Sequence, residues 1–335
     1  AGQAAVGKHL HERTVVQVLA DCGLSGPCAE LLGSLSSILA MRPERTPWPL
    51  YCTFAGSGLA GAWRTTDGGD GITRPLIRRL ESLGGRVLLR TAVTGLETGD
   101  RQVRAVRDSR GAVHAADAVV ATCHPAELLR LANDGDFRPS FVEKVRTTPD
   151  SASACIASVE LLAPAPELGI SHHLARLPTG EDVYYVAPGN FEPSEPPSLE
   201  IMAWVPCEVT AAWADSSLGR RPADYAAWKR TVEQPMVDLV CGHVPGLRER
   251  IGRVWSSTPL TIRDYVRSRN GAAMGLSHDV GHLGGAPLMP RNHLRNLFLA
   301  GQSIGHPGVV GAAISGMVLA GAMTGRDLKA ELDRL

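Results

Sequence analysis

The stretch "LFLAGQSIGHPGVVGAAISGMVLAG", residues Leu297 to Gly321, is where the sequence concentrates its chemistry. It contains no Asp, Glu, Lys or Arg. A short apolar run stops at Gly301, breaks into "QSIGHPG", and resumes as a train of Gly, Ala, Ser and Val. That order predicts a buried strand, a tight turn and a helix. The first amides of such a helix have no internal acceptor, and the helix dipole adds partial positive charge. The turn is thus suited to an anion or to the polar edge of a ring. Gly301, Gly305, Gly308 and Gly311 let backbone approach a bound group with no β-carbon between. His306 stands in the turn, where it can give or take a proton. A turn histidine bonded to backbone is the plainer reading. A membrane span is the rival reading of the whole stretch, but "GHPG" cuts it and the helix after it is Gly/Ala-rich.

Other constellations are weaker. Gly56-Ser57-Gly58-Leu59-Ala60-Gly61 has G-x-G-x-x-G spacing. Yet "YCTFA" before it is at best a short strand, and "AWRTTDGG" after it is too short and glycine-rich for the helix that a dinucleotide loop requires. A flexible turn is expected. His278 and His282 share the i, i+4 spacing of a metal face, with Asp279 between. The segment "SHDVGHLGGAP" reads as a loop, and no metal is expected. His9 and His11 read as exposed polar positions. Arg263, Asp264 and Tyr265 suit either a substrate mouth or an ordinary ion pair beside a tyrosine. Cys123 reads as a small buried residue, and Trp204, Trp213, Trp228 and Trp255 as core. There is no Ser-His-Asp elbow and no Walker loop.

These residues need elements to hold them. Residues 1–66 read as helical and loop-like, with "TVVQVLADCGL" and "CAELLGSLSSILAM" at helical spacing, Gly23 and Gly33 as breaks, and "RPERTPWPLYC" as an irregular connection. "TTDGGDGITRPLIRRLESLGG" predicts a glycine turn and a helix closed by Gly84-Gly85, with Pro75 near its first turn. Short strands follow: "RVLLRTAV", "VTGLET", "QVRAVRD", "GAVHA" and "DAVVAT", with hairpins at Gly99-Asp100 and Ser109–Gly111. "HPAELLRLA" starts a helix. Residues 133–290 mix strands ("ASACIASVEL", "DVYYVAP" and "SLEIMAWVP") with a helix around "ADYAAWKRTVEQPMVDLVCGHV", followed by "GRVWSSTPLTIRDYV". "GNFEPSEPPS" is a surface loop. No repeats or heptads occur.

Bulk properties bound the function. The 335 residues allow two domains or one large α/β domain, and 44% apolar content supports a sizeable core. The formal net charge of +0, without a dense basic block, argues against nucleic acid as a partner. Seven scattered cysteines with no C-x-x-C pair read as free thiols in a reducing compartment, and the expected location is the cytoplasm. The chain begins with Ala, which reads as a fragment or a processed product.

"NLFLAGQSIGHPGVVGAAISGMVLAG" resembles the C-terminal flavin motif of the phytoene desaturase-like family, which includes carotenoid isomerases and retinol saturase-like reductases. A second block, "DGGDGITRPLIRRLESLGGRVLLRTAVTGLETGDRQVRAVRDSRGAVHAADAVVATCHPAELL", resembles the same family, and "TPLTIRDYVRSRNGAAMG" does so more loosely. The resemblance covers most of residues 64–328. It implies an α/β fold, in which a glutathione-reductase-like FAD-binding layer from 64–130 and 290–335 joins a mixed α+β substrate domain. That domain is formed by residues 131–289 together with the N-terminal helices of 1–63. It implies FAD contacts at Gly301, Gln302, Gly308, Val309 and Val310, adenine near the backbone of Val93, and the pyrophosphate passing Ala121 and Thr122. Related enzymes often carry an acid where Gln302 stands.

The family opens with strand–G-x-G-x-x-G–helix, which this sequence lacks. The FAD layer is therefore expected to be N-terminally incomplete, with the missing unit cut away or carried on a second polypeptide, and the chain alone to bind FAD poorly. The resemblance implies FAD-dependent oxidation, reduction or isomerisation of C–C bonds in an apolar polyene or isoprenoid-like substrate. Hydride exchange with the flavin and His306 as the candidate catalytic residue belong to that expectation. Peripheral membrane contact is an access route for such a substrate. The alternatives are an amine-oxidase-like or protoporphyrinogen-oxidase-like flavoenzyme, or a lipid-binding escort of the same architecture without redox chemistry.

Overall fold

The computed structural model describes residues 12–61, 63, 65, 68–163, 173–176, 182–186, 197–282, 288, 293–332 and 334. His9, His11, residues 189–196 of the expected Pro-rich loop and residues 283–287 lie outside these. The chain divides into two compact units. One comprises residues 1–58, 90–152 and 266–335, and the other 59–89 and 153–265. This grouping differs from the expected division at 63, 130 and 289: the first helices and residues 131–152 go with the C-terminal strand and helix.

The first unit begins with α1 (Val15–Asp21). Thr14 and Gln17 form a capping box at its start, and Gly23 at φ 74 ends it. α2 (Gly26–Ser34) runs into a 3-10 turn over Leu35–Leu39, so Gly33 does not break the helix. A β-carbon on Gly33 would meet Pro43 at 3.3 Å, which points to close packing as its role. α3 (Trp48–Ala60) takes in "WPLYC", so the expected irregular connection stops before Trp48.

β1 (Val93–Gly99) and β2 (Gln102–Asp108) form the expected hairpin. Asp100 and Arg101 both adopt left-handed backbone at its tip, as a two-residue turn of this hand requires. β3 (Val113–Ala115) adds a third antiparallel strand. "RVLLRTAV" is not a strand over 86–92: the chain stays irregular there and pairing starts at Val93.

β4 (Val119–Ala121) and β10 (Leu297–Leu299) form a two-stranded parallel sheet, with Leu297 opposite Val119 and Leu299 opposite Ala121. α5 (Pro125–Leu131) and α6 (Pro139–Thr147) pack beside it, and Leu96, Leu128, Phe141, Val145, Leu276 and Leu297 share one core. After β10 the chain makes its turn and enters α9 (Gly308–Thr324), followed by α10 (Leu328–Leu332).

In the second unit, α4 (Asp70–Ser82) matches the predicted helix. Pro75 sits inside it and not at its first turn. A five-stranded antiparallel sheet follows in the order β6-β7-β8-β5-β9. Its strands are β5 (Ser153–Leu161), β6 (His173–Arg176), β7 (Asp182–Val186), β8 (Ser198–Val205) and β9 (Ile251–Ser257). Strict alternation sends Ala157, Val159, Leu199 and Ile201 to one face, where α7 (Ala223–His243) covers them with Met236 and Val240. "TPLTIRDYV" leaves the sheet and forms α8 (Pro259–Val266).

Among the described residues, no helix is long and apolar enough to cross a membrane.

Candidate functional site

The site is built where β4 and β10 end side by side. The Ala300 amide donates to the Ala121 carbonyl at 3.0 Å, and the Gly301 amide donates to Ser315 Oγ at 3.0 Å. Gly301 has φ 110, and a β-carbon there would lie 3.2 Å from the Thr122 carbonyl oxygen. Only glycine meets both demands at low cost. The structure therefore brings Ala121, Thr122 and Gly301 together, from segments far apart in sequence.

The turn after Gly301 is held from below. Ser303 Oγ accepts from the Leu276 amide at 3.2 Å, and a β-carbon on Gly275 would lie 2.0 Å from that same oxygen. The "NGAAMG" segment is thus pressed against the turn. Gln302 points its side-chain amide at the Ala273 carbonyl, 3.2 Å away, and its own carbonyl accepts from His278 Nε2 at 3.1 Å. His278 is 2% exposed, and its Nδ1 finds no partner among the described residues. Burial pushes this imidazole down to about 4, the bond to Gln302 opposing the shift and the neighbouring His306 adding to it. His278 is therefore neutral at pH 7, with its proton on Nε2, where the carbonyl requires a donor.

His306 is half-buried, and its Nδ1 also finds no partner among the described residues. Its backbone is gripped by α9: a β-carbon on Gly311 would lie 1.9 Å from the His306 carbonyl oxygen. Pro307 precedes α9 and offers no side-chain cap. Gly308, at φ 83, has nothing within 4 Å of where a β-carbon would stand. No side chain thus caps the first amides of α9. Val309 and Val310 are 70% and 67% exposed, so their side chains turn outward from the turn's packing.

Val93 joins Ala121 and Thr122 in the lining of one cavity of about 660 Å³ in the first unit. The Gly301–Thr122 contact links that cavity to the turn. The first unit also holds a largely buried charge cluster that has no local sequence signal. Arg269 pairs with Asp150 at 2.8 Å and donates to the carbonyls of Val145 and Thr148. His124 Nε2 stands 3.4 Å from Asp150 Oδ1, a long contact, while its Nδ1 accepts from the Ala126 amide and caps α5. Burial alone would raise the Asp150 carboxyl, but His124 and Arg269 outweigh it and hold it below the usual range.

Other candidates fall elsewhere. Asp264 is engaged by Arg221 and by Arg263, the latter at 2.9 Å, so this trio is a structural ion network in the second unit. Trp213 and Trp228 pack with Tyr225 at ring distances of 5.2–5.9 Å. Asp279 is engaged by Arg45 and His282, both at 2.6 Å. The G-x-G-x-x-G spacing lies in helix: residues 56–60 are the last turns of α3, so it is neither a loop nor preceded by a strand.

These features fit FAD in part. The glycine-lined turn, the uncapped start of α9 and the cavity at Val93 and Thr122 suit its ring and adenosine ends. A glycine-rich phosphate loop is not found among the described residues.

Comparison with known proteins agrees. Human all-trans-retinol 13,14-reductase is 30% identical over 126 residues, which is 37% of this chain and 21% of that protein. The Danio rerio protein of the same name is 20% identical over 336 residues, 86% of this chain and 54% of its own length. The chain thus spans about a fifth to about half the length of these relatives. Putrescine oxidase, solved with bound putrescine, superimposes with a TM-score of 0.66 at 14% identity over 95% of this chain and 69% of its own, a likeness of fold alone. The model of the family described as FAD dependent oxidoreductase matches residues 9–322. With nearly the whole chain inside that match and the glycine turn of β10 and α9 at its end, the chain belongs to the FAD-dependent oxidoreductase family, and its cofactor is FAD.

Proposed function

We propose that the protein acts on C–C bonds of an apolar, polyene-like substrate, as a desaturase, saturase or isomerase of the phytoene desaturase-like group. The observation that carries this reading is the sheet of the second unit. Its face opposite α7 presents Tyr184, Met202 and Ile156 as one cross-strand row, with Trp204 beside it. All four are half-buried. Such a row suits an elongated apolar molecule. The retinol reductase relatives support the same substrate class.

Bound FAD supplies hydride exchange with the substrate. The chain's own residues do the rest. Gly301 and Thr122 would hold the cofactor from one side, and the α9 amides at 308–310 would meet its polar edge. His278 fixes the Gln302 peptide. His306 handles a proton at the turn. Val93, Ala121 and Thr122, which line one cavity, would hold the cofactor's adenosine side.

We also infer that a βαβ segment, from the same or a second polypeptide, completes the glutathione-reductase-like layer. β4 and β10 pair only with each other among the described residues, and a parallel pair alone is not self-sufficient. α9 buries only Gly311, Ser315 and Gly321, leaving Val309, Val310, Ile314 and Val318 exposed. α4 buries nothing, although Ile72, Leu76 and Leu80 lie along it. The bare face of α9 is what a missing layer would cover.

The test is anaerobic electron exchange between the FAD-loaded protein, with its completing segment, and either a conjugated polyene alcohol or an aliphatic amine. Flavin absorbance that responds to the polyene alone supports the proposal. A response to the amine alone moves the protein to the amine-oxidase-like reading. A stoichiometric yellow complex from these 335 residues alone refutes the completing segment.

A further inference from the structure

The sheet face opposite α7 changes character along its strands. Beside the row Tyr184–Met202–Ile156 runs a second one, Val186–Glu200–Ser158–Trp255, drawn from β7, β8, β5 and β9. Val186 is half-buried and Trp255 is 53% exposed, so apolar side chains flank a polar pair. One row further out Ser198 stands opposite Glu160, and the apolar field has ended. Glu200 is therefore the polar border of that field.

Glutamate is disfavoured in strands, and a carboxylate set among apolar side chains loses hydration. Ser158 Oγ donates to Glu200 Oε2 at 2.9 Å, and no cation pairs with this carboxyl among the described residues. Burial pushes the carboxyl up, with the Ser158 bond opposing. One hydroxyl fills only part of its acceptor capacity. Glu200 is half-buried, so the remainder stays within reach of a ligand. Trp204, two positions past Met202 on β8, holds an indole N–H with no acceptor among the described residues, but that atom is sealed from solvent.

We propose that Glu200, oriented by Ser158, receives the polar end of the substrate and selects a hydroxyl there, a neutral hydrogen-bond donor, over a carboxylate. This rests on the reading that the Tyr184–Met202–Ile156 row takes the apolar part of the same molecule. A hydroxyl donates to the acceptor capacity that Ser158 leaves open. A carboxylate end has no proton to give and meets like charge from Glu200 and Glu160. An ammonium end would need an ion pair at a carboxyl whose surroundings disfavour charge.

The experiment titrates the FAD-loaded protein anaerobically with one conjugated polyene as its primary alcohol, methyl ether, carboxylate and amine, and reads binding by quenching of tryptophan emission. The alcohol should bind about tenfold more tightly than each of the others. Glu200→Gln should bring alcohol and carboxylate to within about threefold of each other, because an amide also donates. Ser158→Ala should weaken the alcohol about threefold and leave the ether unchanged. Glu249→Gln, at an exposed acid outside this face, should change nothing. Circular dichroism checks each fold, and Ser158→Ala carries the test if Glu200→Gln does not fold. Met202→Ala tests the row itself and should weaken alcohol and ether alike, about tenfold. If it does so while Glu200→Gln and Ser158→Ala keep the preference for the alcohol, the anchor is wrong and the apolar row stands. If Met202→Ala changes nothing, or no form binds, the row fails and the anchor with it. An ether bound as tightly as the alcohol, or a preferred carboxylate or amine, overturns the selection of a hydroxyl.

Discussion

Gly311 and His306 are in backbone contact: a methyl group on Gly311 would stand 1.9 Å from the His306 carbonyl oxygen. Nothing flexible lies between them, so the first turn of α9 and the preceding loop are one rigid piece. Gly311→Ala must force them apart. The expected cost is about 3 kcal/mol, read as a lower urea midpoint. Gly316→Ala is the matched control on the same helix, because no atom lies within 4 Å of its β-carbon position. It should be neutral or stabilising by up to about 1 kcal/mol. Equal effects of the two would disprove the rigid turn.

Protonation of His278 is resisted by burial, so its folded value of about 4 lies below the ordinary 6.5. Between these values the unfolded chain binds the proton that the folded chain refuses. Stability is therefore intact above about pH 6.5 and falls as pH drops toward 4, by about 3 kcal/mol in all. His278→Gln should flatten that stretch of the stability–pH curve. An unchanged slope would show that another group titrates.

Asp150 behaves oppositely in origin and similarly in sign. Its folded carboxyl is held below the ordinary 3.8 by His124 and Arg269 against the opposing effect of burial. The stability it contributes is present above the unfolded value and lost as pH falls through the lower folded one. Asp150→Asn leaves the Arg269 guanidinium without its carboxylate and should cost about 3 kcal/mol at pH 7. The loss should shrink in strong acid. Chemical denaturation at neutral pH and at about pH 3 measures both arms.

The outward face of α9 supports a prediction of the opposite kind. Val310 and Val318 are 67% and 64% exposed. Val310→Lys and Val318→Lys should change the chain's own stability by no more than about 0.5 kcal/mol. They should raise its solubility and block binding of the completing βαβ segment, followed by sedimentation. Losing more than about 1 kcal/mol from the isolated chain would mean these valines pack within it.

His306 is tested with the FAD-loaded protein. His306→Gln should lower turnover about a hundredfold, with cofactor retention and KM little changed, if it handles a proton. Loss of FAD in place of loss of turnover would make it a residue of the cradle alone.

The parts of the fold written in local pattern were legible. β4, β10 and α9 follow from apolar runs punctuated by glycine, and the β1–β2 hairpin from Gly99-Asp100. "RVLLRTAV" misled because its apolar residues look strand-like, while only pairing with β2 makes a strand, and that pairing begins at Val93. "WPLYC" misled because prolines early in a helix are tolerated, and α3 uses Pro49 in its first turn. The supports of the site were out of reach for another reason. His278 meets Gln302 across 24 residues, and Arg269 meets Asp150 across 119. No spacing rule connects such positions. Gly301, Thr122 and Val93 are named as cofactor contacts by resemblance alone, and Gln302 contributes its side chain to the Ala273 carbonyl, a use its neighbours in sequence do not signal.

The parallel pairing of residues 119–121 with 297–299 sets an order for biogenesis. The antiparallel sheet and its covering helix lie within one continuous run, residues 153–257, and can collapse while synthesis continues. β4 must wait at the ribosome with its apolar edge bare until β10 emerges, a long loop to close and a window for aggregation. Slowing translation between β4 and β10, or withholding chaperones, should therefore trap nascent chains with one half formed and the other still open.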